Sequence, residues 1–444
     1  MKRRQNVKFF IIIVLIVWLL AFYGVSILSS IGLLIVIYIG NKFLDELGNT
    51  IPILELILFI SGFQWIVGPF ILYRIEPDFM HVSENEYMAI TVGAYLSFVT
   101  GCLFIRNKKA ILNKTKIKEI MSRPKIISII KSIYWVSIVF FIFSFFFKTS
   151  LDFIFTTIYS FSFITAIMLL YSPVSNKNVY VIAIYSLLFL KCIYQSVFAE
   201  FISQCFLLII FIPNIYSLSK KKIIILLVLG MIMLSVINTA KTAYRSKVWS
   251  DRSREVNISL FFTILFNSEK SENDTDNSFL QRISSGSVNS NIFSYVPKYK
   301  QHTQGEVLFE DFANALIPRF LYPDKKDIDN RKNYMLYTGR YLEEGTSVGV
   351  NALGIGYAEF GVFGSFVFML LYGLLLSRIL IFIINRSKRN ILYLFSIIVI
   401  FIGATKAETE FVGSLNSLLK TLFFVLFFVY VISKNKTRLF VYER

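Results

Sequence analysis

Residues Phe9 to Gly40 read FFIIIVLIVWLLAFYGVSILSSIGLLIVIYIG, 32 consecutive positions without a charge. As one α-helix they would extend about 48 Å at 1.5 Å per residue, well beyond the roughly 30 Å of a bilayer's hydrocarbon core. A break near Tyr23 and Gly24 divides the run into two short spans. Ten more apolar runs of about the same crossing length follow, and helices are the form in which lone segments satisfy their backbone in lipid. They are expected at Ile51 to Tyr73, Met88 to Ile105, Ile126 to Phe147, Ile154 to Tyr171, Val179 to Gln195, Val197 to Tyr216, Ile223 to Asn238, Val362 to Ile384, Ile391 to Ala404 and Ser414 to Ile432.

The expected fold is an all-α polytopic membrane protein of about twelve transmembrane helices with one large, partly helical extracytoplasmic loop. Residues 1–238 supply about nine helices, 239–348 the loop and 349–444 about three helices. The composition agrees, with 55% hydrophobic and 17% aromatic residues. The net charge of +18 would suit a nucleic-acid binder. The cations, however, lie in short islands between apolar runs, which argues for a membrane and against nucleic acid as partner. Three cysteines in or beside apolar helices (Cys102, Cys192, Cys205) support neither a disulfide framework nor a zinc site. The basic start Lys2, Arg3, Arg4 and Lys8 leads into an apolar run that resembles a signal peptide, but its small residues sit inside a continuing hydrophobic stretch, so it reads as a retained anchor helix.

With the N-terminus in the cytoplasm, every strongly basic short loop falls inside: Arg106 to Lys125, Lys220 to Lys222, Arg386 to Arg389 and the tail with Lys434, Lys436 and Arg438. The opposite loop, Arg74 to Tyr87, carries Glu76, Asp78, Glu84 and Glu86. This alternation puts both termini of a multi-pass membrane protein in the cytoplasm and the long loop outside. Within that loop, Leu280, Ile283, Ile292, Phe293 and Val296 share one helical face, as do Leu308, Phe309, Phe312, Leu316 and Ile317 before Pro318. Ser268 to Ser278 is polar and acidic, a flexible excursion.

Two sets of ionisable residues are candidates for chemistry. The loop cations Arg245, Arg282, Arg319, Lys325, Lys326 and Arg340 suit phosphate, because a guanidinium fork grips it bidentately; the plainer reading of each is a solvated charge. Arg245 in KTAYRS and Arg319 in IPRF stand out, since adjacent apolar sequence holds both near the membrane. The second set lies at helix ends: Lys191 and Glu200, Glu359 in YAEFG, and Lys406, Glu408 and Glu410. Charge near hydrocarbon is costly, so these should face a wet cavity or one another. His81 and His302 are the only histidines, both expected outside, and no carboxylate stands at metal-ligand spacing from either. No Walker sequence, dinucleotide fingerprint, serine elbow or DXD-like motif appears, so no nucleotide, metal or other cofactor is expected.

Val296 to Gly364 contains VPKYKQHTQGEVLFEDFANALIPRFLYPDKK and then TGRYLEEGTSVGVNALGIGYAEFGVFG. This order resembles the Wzy-type oligosaccharide repeat-unit polymerases of O-antigen and capsule, relatives of the O-antigen ligases. The carried features are Gly305 before a short helix, Pro318-Arg319 with Pro323 and Lys325, the pair Thr346-Ser347, and Glu359-Phe360-Gly361. One departure is Glu200, in QSVFAEF, where members often place an arginine. The resemblance implies a metal-independent glycosyltransferase that polymerises undecaprenyl-diphosphate-linked repeat units at the outer face of the cytoplasmic membrane. Its partners would be lipid-linked oligosaccharides, membrane lipids and a chain-length regulator. On this reading Glu359 is the candidate base, with Glu200 and His302 as alternatives, and structural pairing of Glu359 with Lys406 or Arg340 is the competing role. The rival functions are a flippase for the same lipid-linked glycan and an O-antigen ligase.

Overall fold

The computed structural model describes residues 24–104, 108–146, 152–195, 198–230, 263, 284–316, 330–343 and 348–434. Its named elements are all helical, joined by isolated bridges linking Thr50 to Leu47 and Ile111. In chain order the first eight helices are α1 (Ile27–Glu46), α2 (Ile53–Ile75), α3 (Glu84–Phe104), α4 (Lys114–Met121), α5 (Pro124–Phe146), α6 (Asp152–Leu170), α7 (Lys177–Gln195) and α8 (Ala199–Tyr216). Then follow α9 (Gly286–Tyr295), α10 (Glu306–Leu316), α11 (Asn330–Thr338), α12 (Ala352–Ser387), α13 (Ile391–Phe401) and α14 (Phe411–Ser433).

Among the described residues, seven helices are long and apolar enough to cross a membrane: α1, α2, α3, α5, α7, α12 and α14. Three shorter apolar helices, Ile154–Leu170, Glu200–Tyr216 and Ile391–Phe401, match the expected positions of three further spans. The N-terminal half of the opening apolar run lies outside the described residues, as does the expected span beyond residue 230. Gly24 stands just before α1 with φ of 77°, a turn where the sequence called for a break.

Local signals set the helix starts. Ser26, Asn113, Asn351 and Asn390 each cap a helix by accepting a bond from a backbone N–H two or three residues ahead. Glu410 does the same for α14, through Val412 N and Gly413 N. Between α3 and α12, which pack extensively, backbones touch at glycines: a Cβ on Gly101 would meet Leu370 O at 2.3 Å, and one on Gly373 would meet Phe98 O at 2.6 Å. Small residues permit this approach where van der Waals packing must hold helices together. All of α13 is buried, so it runs through the centre of the bundle. The outward faces are apolar, with Val139, Phe143, Val367, Leu371, Phe423 and Phe427 exposed.

Contacts sort the connections to two ends of the bundle. At one end Lys109 pairs with Glu46 at 2.8 Å, Lys220 pairs with Asp45, and Lys108 and Lys114 bond Asn385 and Ser217. Here residues 49–51 and 110–112 exchange backbone bonds, and Asn390 meets Ser433. The expected inside loops therefore gather at one basic end. The acidic loop after α2, helices α9 to α11 and the segment before α14 gather at the other end, the crown.

Candidate functional site

The crown is organised by a break in α12. Gly361 has φ 69° and ψ −167°, a region that in practice only glycine occupies, so the helix stops after Phe360 and restarts in a new direction. The span expected at Val362 to Ile384 is thus the second half of a longer element, and its first half, from Ala352, belongs to the crown. Stopping a helix leaves its last carbonyls without intrahelical partners. Segment 302–304 supplies them: Gln304 N donates to Glu359 O at 2.9 Å, and His302 Nδ1 lies 3.1 Å from Ala358 O.

The Glu359 side chain completes the same junction. Its Oε1 accepts from the Tyr337 hydroxyl at 2.5 Å, and its Oε2 accepts from the Thr303 hydroxyl at 2.5 Å and from Gly305 N at 2.8 Å. Glu359 is 0% exposed. The expected structural partners were Lys406 or Arg340; the partners found are two hydroxyls and a backbone amide. Gln304 and Gly305 both have positive φ, which folds the loop back over the carboxylate. One buried acid thereby ties the α9–α10 connection, α11 and α12 together. Tyr337 is itself fully buried, and burial, reinforced by Glu359, raises its pKa far above the ordinary tyrosine value.

His302 sits at the edge of this junction, half-buried, its ring edge-on to Tyr357 with centroids 5.6 Å apart. A carbonyl only accepts, so the proton belongs on Nδ1 and the neutral ring keeps its lone pair on Nε2. Nε2 has no partner among the described residues and lies 3.3 Å from where a Cβ of residue 361 would stand.

Two other buried acids flank the clamp. Asp311 on α10 accepts from Asn333 Nδ2 at 2.6 Å; burial raises its pKa, while the Asn333 bond and Lys332 oppose the rise. Burial likewise raises the pKa of Glu410, against the pull of its two N–H donors. The face expected on α10 holds at Leu308, which is buried, and fails at Phe309, which is 73% exposed because α10 turns that position outward.

Halfway along α2, a wider π-helical turn covers Phe63–Val67. There Gln64 O accepts from Ser285 N, Gln64 Nε2 donates to Glu408 at 2.8 Å, and Trp65 Nε1 donates to Ala407 O at 3.3 Å. Crown segments therefore reach about half the depth of the bundle, and the Gln64–Glu408 pair is open to solvent.

Of the sequence candidates, Arg245, Arg282, Arg319, Lys325 and Lys326 lie outside the described residues. Arg340 is exposed on the crown and donates to His81 Nε2 at 2.8 Å, joining the acidic loop to the segment after α11. Glu200 stands apart from Glu359 and His302, in a second core built by α5 to α8. It accepts from the Tyr159 hydroxyl and pairs with Lys191 at 3.4 Å. Lys191 is 6% exposed, donates to Tyr159 at 2.9 Å and lies 4.4 Å from that ring's centroid. The two charges do face one another, as expected. The sequence reading missed Tyr337, Thr303 and Tyr159; its nearest signal was Gly305 before a short helix. Among the described residues no group of three or more His, Cys, Asp or Glu side chains is placed to hold a metal.

Among the described residues these features define an all-helical architecture, with seven helices fit to cross a membrane and a folded crown at one end of the bundle. The chain belongs to the family described as a domain of unknown function, DUF8712, whose pattern matches residues 76–437. No curated protein and no solved structure matches the chain.

Proposed function

We propose that this protein is a polysaccharide polymerase of the inner membrane, with about twelve spans, a cytoplasmic basic end and an outward-facing crown. The observation that carries the reading is the junction at Gly361, where a buried carboxylate fixes a loop and leaves His302 Nε2 unpartnered beside a helix break. A flippase has no need of such a folded outer segment.

In this reading the donor is a glycan on undecaprenyl diphosphate. The acceptor is the terminal sugar hydroxyl of a second lipid-linked unit. The acceptor oxygen attacks the anomeric carbon, the bond from that carbon to the diphosphate oxygen breaks, and lipid diphosphate leaves with the electron pair. His302 Nε2 takes the acceptor proton. Arg245 and Arg319 are assigned to the developing diphosphate charge. Glu359 is assigned to the clamp, since both its oxygens are occupied and enclosed, whereas the sequence suggested it as the base. Its role is to position His302.

The test is glycan analysis of a deletion strain complemented with variants at matched protein levels. The deletion should leave single repeat units on the final carrier. His302→Gln should lower polymer formation about 100-fold or more, the lower range for removing a general base. Glu359→Gln should retain most of it. Near-normal polymer from His302→Gln would remove the base. Absence of any transferred unit in the deletion strain would point to a ligase, and intermediate retained inside to a flippase.

A further inference from the structure

A groove of about 570 Å³ near the basic end plays no part in this chemistry. Ile127, Ser128, Lys131, Ser132 and Trp135 of α5 line one wall, and Pro173, in the α6–α7 connection, lines the other. The α5 positions recur at three- and four-residue spacing, so they form one stripe of the helix. Farther along α5, the exposed Val139, Ile142 and Phe143 continue outward as a surface suited to acyl chains.

Lys131 sets the ligand's charge. It lies seven residues into α5, about 10 Å along the axis, within an apolar run. Its Nζ stands 5.9 Å from the Tyr180 ring centroid on α7, and no carboxylate pairs with it among the described residues. A ring face at that distance offsets little of the cost of a cation near hydrocarbon. The groove thus sets the Lys131 cation beside an apolar wall.

We propose that this groove binds an anionic phospholipid of the leaflet at the basic end. Its phosphate lies on the Lys131 ammonium and the Ser128 hydroxyl, and its acyl chains lie against Trp135 and the surface beyond. The proposal rests on the chain spanning a membrane and is independent of the polymerase reading.

The test uses the full chain in phosphatidylcholine vesicles, with Trp135 emission isolated as the difference between wild type and Trp135→Phe. Dibrominated phosphatidylglycerol should quench it at a mole fraction ~5-fold lower than dibrominated phosphatidylcholine, the factor one lysine near a charged headgroup contributes. Lys131→Gln should erase that preference, and Lys131→Arg should keep it. Equal quenching by the two lipids in wild type would overturn the proposal, as would a preference surviving in Lys131→Gln. Relief of quenching by millimolar inorganic phosphate would reassign the groove to free phosphate.

Discussion

Replacing Glu359 by alanine removes the acceptor for three donors at once: the buried Tyr337 hydroxyl, the Thr303 hydroxyl and Gly305 N. Each buried donor left unpaired costs about 1–3 kcal/mol, so Glu359→Ala should destabilise the crown by roughly 3–6 kcal/mol once partial relaxation is allowed. Glutamine behaves differently. Its oxygen can keep Thr303 and Gly305, while its amide donates to Tyr337, whose hydroxyl turns from donor to acceptor. Only charge assistance is lost, about 1–2 kcal/mol. Tyr337→Phe removes one of the three bonds and should fall between, near ~2 kcal/mol. Hydrogen exchange at residues 302–306, with thermal unfolding in detergent, reads the order. Exchange there should accelerate most in Glu359→Ala, less in Tyr337→Phe and least in Glu359→Gln. Unchanged exchange in Glu359→Ala, or greater loss in glutamine than in alanine, would refute the clamp.

Gly361→Ala places a side chain at a φ of 69° and against the His302 ring, so it should cost about 1–3 kcal/mol and lower polymer formation with it; normal stability and activity would show that the break is not required. Burial and then Arg340 lower the pKa of His81, so the unfolded chain takes up this proton first as the solution acidifies. The stabilising contribution is therefore present above about pH 6.5 and is lost as pH falls through the folded pKa. In spectra of histidine-labelled protein, which has only two imidazoles, Arg340→Ala should move the His81 pKa upward, and no movement would dissociate the pair. Lys191→Met leaves Glu200 without its cation in a largely buried setting and should cost about 3–5 kcal/mol, whereas Lys191→Met with Glu200→Gln should recover much of that loss. Equal losses in the single and double variants would show that the charges do not depend on one another.

Helix positions were legible in the sequence because hydropathy over some twenty residues is a local property, and lipid or a packed core demands it of each segment separately. The expected Ile126 to Phe147 became Pro124–Phe146, and Ser414 to Ile432 became Phe411–Ser433. The grouping of Lys108, Lys109, Lys114 and Lys220 at one end was also readable, since charge alternates with every crossing. The candidates Glu359 and Glu200 were visible as ionisable groups beside apolar sequence, and His302 as one of two histidines expected outside. Their partners were not. Tyr159 is one of 24 tyrosines and carries no local mark of its bond to Glu200. Tyr337 reaches Glu359 from 22 residues away and Thr303 from 56, across connections whose return path depends on how α9, α10 and α11 pack on α12. A carboxylate's role depends on which donors surround it, and only the tertiary structure brings those donors together around a helix broken at Gly361.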